Sequence, residues 1–95
     1  MSYAQLHIII GLVKDKEVKN ILALLPATAT YYFTKAQIPR ALPENDLAAV
    51  AKTLQLEGKT FSNVNTALKE AITHAHQEDL ILICGSVFLA GEVNL

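Results

Sequence analysis

The sequence predicts a single α/β domain built on a mostly parallel sheet. Three observations carry that reading. Four β-rich runs alternate with three helical patterns along the chain, the order that gives parallel strands joined by crossover helices. The first and last β-rich runs are apolar without a break, the mark of strands buried on both faces rather than one. The chain has 95 residues, 52% of them hydrophobic and 18% charged, with only four Gly and three Pro. That is enough for one core, too short for two, and too apolar for a disordered or low-complexity segment.

The first strand is placed at residues 5–12 (QLHIIIGL), where Ile8, Ile9 and Ile10, with Val13 just beyond, surround Gly11. The first helix follows from Val18, Ile21, Leu22 and Leu25, spaced i, i+3, i+4, i+7, and Pro26 stops it. Residues 30–34 (TYYFT) form the second strand. Alternate members of Tyr31, Tyr32 and Phe33 then face opposite sides, so core packing is their expected role rather than base stacking. Residues 35–42 are the longest irregular stretch. The second helix carries Leu47, Val50, Ala51 and Leu54; Pro43 suits its first turn, and Glu44 and Asp46 lie near its positive end. Residues 58–61 are a short third strand. The third helix carries Val64, Ala67, Leu68, Ala71, Ile72 and Ala75, with Ser62 or Asn63 as its cap. The fourth strand is residues 79–84 (DLILIC), as apolar as the first, with Cys84 as a small buried hydrophobe. Residues 86–95 read as a short helix capped by Ser86, although their alternating apolar residues also fit a strand.

Charge and composition exclude several functions. Eight basic residues against nine acidic ones leave a net charge of −1, with no surplus to neutralise phosphates, so no nucleic-acid partner is expected. No apolar stretch approaches the ~20 residues of a membrane span, and no signal peptide is recognisable. A single cysteine fits a reducing, cytoplasmic setting. The chain has neither GxxxxGK[ST] nor GxGxxG, and Asp15 is the only acidic residue placed for a phosphoacceptor cluster at the strand ends. His74 and His76, two apart on a helix, face different ways and make no metal pair. His7, His74 and His76 form no recognisable constellation and receive no role.

In open parallel sheets ligands sit beyond the carboxyl ends of the strands, where helix N-termini also point. That rule selects Gly11, Lys14, Asp15 and Lys16 after the first strand, Lys35 and Arg40 after the second, Ser62 and Asn63 after the third, and Gly85 and Ser86 after the fourth. Such a rim suits a carboxylate or a phosphate. On the residues alone, Lys16 reads first as a solvated lysine at a helix start and Ser86 as a helix cap. Asp15 reads as a cap or an ion-pair partner. Gly11 and Gly85 suit close backbone approach or a positive φ.

Three segments together carry a resemblance. GLVKDKEVKNILALLP (residues 11–26), YYFTKAQIPRAL (31–42) and LILICGSVFLAGEVN (80–94) resemble, in order, the C-terminal domain of folylpolyglutamate synthase and dihydrofolate synthase, members of the Mur ligase superfamily. The resemblance implies a three-layer, Rossmann-like domain that closes over an ATP-binding domain. It implies an ATP-dependent, amide-forming ligase in which ATP phosphorylates a folate carboxylate and the amine of glutamate attacks the acyl phosphate. It implies ATP and Mg²⁺ as cofactors of the complete enzyme, glutamate and a folate as substrates, and glutamate binding by Lys16 and Ser86, with Gly11, Asp15, Arg40 and Gly85 on the site's rim. No catalytic residue and no metal ligand is assigned to this chain.

The chain departs from that pattern in one respect. It lacks the Asp-Gly-Ala-His-Asn motif that opens the family domain, and by alignment it starts at the domain's second strand. The expectation is therefore that residues 1–95 are a partial domain without its first strand–helix unit. Alone it should be inactive, bind neither ATP nor Mg²⁺ tightly, and associate with itself over the surface left uncovered. The alternatives are a free-standing module that binds a small anion or amino acid, and an interaction domain with no ligand.

Overall fold

The computed structural model describes residues 5–14 and 17–85. Four strands, β1 (Leu6–Gly11), β2 (Thr30–Phe33), β3 (Gly58–Thr60) and β4 (Leu80–Gly85), alternate with three helices, α1 (Val18–Ala23), α2 (Glu44–Thr53) and α3 (Val64–His74). The strands lie in the order β3-β2-β1-β4, and all three pairings are parallel. From β1 the chain steps outward to β2 and β3. It then returns along α3 to lay β4 on the other side of β1, so the direction of progress reverses between β1 and β4.

Strand alternation sorts the core into two layers of side chains. Ile8 and Ile10 of β1 pack with Tyr31 and Phe33 of β2 against Leu22 of α1 and Leu47 and Ala51 of α2. Ile9 and Tyr32 point the other way, onto Val64, Ala67, Leu68 and Ala71 of α3. The result is α1 and α2 on one face, the sheet in the middle and α3 on the other face. Leu22 and Leu47 are fully buried, each contributing about 1.5–3 kcal/mol of transfer free energy. The aromatic run takes the predicted core role: Tyr31 and Phe33 stack at 5.7 Å between ring centroids, and Tyr32 tilts against Phe61 at 6.0 Å on the opposite face.

Several local expectations change. The first helix has six residues and ends at Ala23, before Leu25, and its cap residue Glu17 makes no side-chain cap bond. Pro43 is not in the first turn of α2 but immediately precedes it, with φ −56° and ψ 142°; the ring fixes φ while the extended ψ turns the chain into the helix. Of the two candidate caps of α3, Asn63 acts: its side chain accepts from the Thr66 N–H at 2.8 Å. The fourth strand starts at Leu80, and within it Leu82 is 45% exposed and Cys84 only half-buried. Its apolar sequence matches that of β1, but β1 is central and β4 borders the described sheet, where it has one strand neighbour instead of two. Residues 86–95, read from sequence as a short helix, lie outside the described residues.

Candidate functional site

β1 and β4 are neighbours across the reversal of strand order, the switch point beyond whose carboxyl ends open parallel sheets take their ligands. Gly11 and Gly85 are register partners at the carboxyl ends of these strands. Gly85 has φ +120°, and a Cβ placed there would run into the Gly11 carbonyl. Both sequence readings of Gly85, close approach and positive φ, therefore hold at one position. The glycine lets β4 end tight against β1. Beside this pair is a cavity of about 220 Å³ lined by Ile10, Val13, Ile21, Cys84 and Gly85 among others. Its lining side chains carry no charge, so a charged ligand at this end would have to be recognised by the loops above.

Those loops are tied together. Lys14 N–H donates to the Arg40 carbonyl at 2.8 Å, Leu42 N–H donates to the Leu12 carbonyl at 2.8 Å, and Val13 and Ala41 form an isolated antiparallel bridge. The chain after β1 and the chain before α2 thus run side by side over the sheet's end, and Lys14 and Arg40, both exposed, stand on one rim. Gln37 reaches across to the Ser62 carbonyl at 2.8 Å, joining the loop after β3 to the same edge. Beneath them Thr34 is fully buried, and its hydroxyl has no hydrogen-bond partner among the described residues. Of the residues chosen from sequence, Gly11, Arg40 and Gly85 fall at this end as expected. Asp15, Lys16 and Ser86 lie outside the described residues. Because α1 is only six residues long, its dipole adds little here, and attraction for an anion rests on side-chain cations.

A second polar cluster occupies the opposite, amino-terminal edge, and sequence reasoning missed it. His7, buried on β1, places Nδ1 2.9 Å from the Tyr32 hydroxyl and Nε2 2.8 Å from Asp79 Oδ2. Asp79 also accepts from the His76 N–H at 3.0 Å. The correction to the sequence reading is that His7 does belong to a constellation, and His74 pairs with Glu70 at 2.7 Å one helical turn away. An ionised Asp79 can only accept, so Nε2 of His7 carries a proton and donates to it. The His76 N–H, then the bond from His7, holds the Asp79 carboxyl below the usual carboxylate range. Burial, helped by the Glu70 and Asp79 charges, pushes the Tyr32 hydroxyl up, so it stays protonated and able to donate. The signal available in the sequence was a lone histidine in an otherwise apolar strand, which requires a partner.

Among the described residues no group of three or more His, Cys, Asp or Glu is arranged to hold a metal ion, and no helix is long and apolar enough to cross a membrane. Burial raises the Cys84 thiol above its ordinary range, so it is protonated at neutral pH.

Comparison with known proteins identifies the kind of domain. A family model described as "Mur ligase, glutamate ligase domain" matches residues 1–87. A probable bifunctional folylpolyglutamate synthase/dihydropteroate synthase of Haloferax volcanii is 30% identical over 94 residues, covering 98% of this chain and 11% of that protein. Among solved structures, E. coli FolC in complex with DHPP and ADP superposes with a TM-score of 0.83 at 27% identity, covering 96% of this chain and 22% of the other. Mycobacterium tuberculosis folylpolyglutamate synthase complexed with ADP and AMPPCP gives 0.77 at 27% identity, with 96% and 23% covered. The chain thus spans about a tenth of the curated relative and under a quarter of these two solved chains.

Proposed function

The chain belongs to the Mur ligase, glutamate ligase domain family, and on that premise we propose that residues 1–95 serve as part of the C-terminal domain of an ATP-dependent ligase that adds glutamate to a folate. The observation that carries this reading is the Gly11–Gly85 pair at the switch point between β1 and β4, with the cationic loop of Lys14 and Arg40 on the same edge. Lys16 follows Lys14 by two residues and Ser86 follows Gly85 directly. In sequence, Ser86 comes next after the last residue of β4, and Lys16 comes five residues after the last residue of β1.

In this role the chain contributes recognition. The Lys16 ammonium pairs with a glutamate carboxylate and the Ser86 hydroxyl donates to one, each a charge-assisted contact. Holding both carboxylates leaves the α-amine as the free nucleophile and fixes its direction of approach. In this reading the chain supplies no nucleotide or Mg²⁺ site of its own; the sequence has no phosphate-binding GxxxxGK[ST] loop, and among the described residues there is no metal-ligating cluster. The relatives' nucleotide complexes are consistent with ATP use by a complete ligase, and that chemistry is assigned to domains outside these residues. A cytoplasmic setting suits the lone thiol of Cys84.

The test is to replace the matching segment of E. coli FolC with residues 1–95 and follow glutamate-dependent ADP release. A working chimaera with a folate acceptor supports the assignment. A well-folded chimaera that binds ATP and folate but ignores glutamate at all concentrations removes it.

A further inference from the structure

The polar cluster around His7 borders a cavity of about 490 Å³, at the sheet's amino-terminal edge and away from the proposed glutamate end. That volume falls in the ~300–1,000 Å³ range of ordinary small-molecule sites. Five segments build it: the starts of β1, β2 and β3, the last turn of α3 and the turn before β4. Its lining passes from the buried rings of His7 and Tyr32 to the exposed side chains of Glu57, Lys59 and His74.

The charges on the lining are unequal. Glu57, Glu70 and Asp79 face a single lysine, Lys59. Glu57 makes no ion pair among the described residues. Glu70 meets His74 at 2.7 Å through Oε2 alone. The last carbonyls of α3, an eleven-residue helix ending at His74, add partial negative charge on the same side. The Tyr32 hydroxyl feels this field: burial first, then the charges of Glu70 and Asp79, raise its pKa.

Asp79 carries the observation that points to a ligand. Its side chain is 1% exposed, and both of its hydrogen bonds, from His7 and from the His76 N–H, fall on Oδ2. Oδ1 is buried with no partner at all. A buried carboxylate oxygen without a donor is an incomplete arrangement, and Asp79 lines the cavity from which a donor can come. A bare metal ion does not fit, since among the described residues no three His, Cys, Asp or Glu are arranged to hold one. An anion would meet three carboxylates.

We propose that this cavity binds a small organic cation, an aryl- or alkylammonium ion, whose N–H groups donate to the Asp79 carboxylate while its carbon body rests against Tyr32. Glu70 and Glu57 supply the surrounding negative charge, and the tyrosine ring offers its face to the cation. The inference uses the edge opposite the glutamate-binding role and stands apart from it.

Titration of the whole chain with benzylamine, and separately with benzoate, tests it in mildly alkaline buffer, followed by NMR of the histidine and tyrosine side chains. The two probes share a ring and differ in charge. Benzylamine is expected to give saturable shifts at His7, His74 and Tyr32 at millimolar concentration, and benzoate none. Asp79→Asn should weaken benzylamine about tenfold, and Glu70→Gln about threefold, with circular dichroism unchanged. If Asp79→Asn does not fold, Glu70→Gln and the contrast between the two probes decide. No saturable shift with benzylamine overturns the proposal. So does benzoate binding as tightly, or a benzylamine affinity that the folded variants leave unchanged.

Discussion

His7 and Asp79, 72 residues apart in the chain, meet at 2.8 Å between Nε2 and Oδ2, with side chains only 5% and 1% exposed. The contact fastens the turn that precedes β4 to the start of β1. Tyr32 closes the other side of the ring, so three segments depend on one imidazole.

The first prediction concerns acid. Asp79 has its carboxyl pKa lowered in the folded state, first by the His76 N–H and then by His7. Its stabilising contribution is complete above the unfolded carboxylate pKa of ~3.9 and is lost as pH falls through the lower folded value. Asp79→Asn should lower the melting temperature at pH 7 and flatten the loss of stability between about pH 4 and pH 2. Thermal melts across that range check it. An unchanged acid limb in the variant would assign acid sensitivity to other carboxylates.

Gly85→Ala should destabilise the fold by about 1–3 kcal/mol. Its φ of +120° suits only glycine, and the added Cβ meets backbone at Gly11, which cannot move aside as a side chain would. Urea melts read the loss directly, and a neutral substitution would mean that β4 can end differently.

Gln55→Gly should stabilise the chain, by about 0.5–1 kcal/mol. Gln55 has φ 63° and follows α2 in a Schellman-type ending: its N–H donates to the Lys52 carbonyl, and the Leu56 N–H to the Ala51 carbonyl, each at 3.0 Å. Glycine adopts that conformation without the Cβ penalty. A higher urea midpoint is the expected result.

Asn63→Ala should cost ~1 kcal/mol by leaving the Thr66 N–H without its cap, and Asn63→Asp should recover most of it. The same denaturation series reads both.

The helices and strands were legible because periodicity is local. Leu47 and Ala51, or Ile8 to Ile10, declare their buried faces within a few residues of chain. The position of β4 was not legible, since LILIC reads alike in the centre of a sheet and at its border, and only the pairing order separates the two. The His7–Asp79 contact was hidden for the same reason: no spacing rule joins residues at opposite ends of the chain. Gln55 was missed because a left-handed helix end is signalled by Gly or Asn, and neither is present there. On the site, the rule that ligands lie beyond strand carboxyl ends brought Gly11, Gly85 and Arg40 to one edge correctly. It did so by connectivity alone. It gave no hint of the backbone bond between Lys14 and Arg40 that joins two of the loops.

The most direct measurement of the central claim is the KM for glutamate of the E. coli FolC chimaera carrying Lys16→Ala or Ser86→Ala. Losing one contact to a carboxylate should raise that KM about tenfold or more, equivalent to roughly 1.4 kcal/mol or more of binding, while the KM for ATP stays unchanged. Unaltered glutamate kinetics in both variants would contradict the claim that this edge of the sheet grips the amino acid.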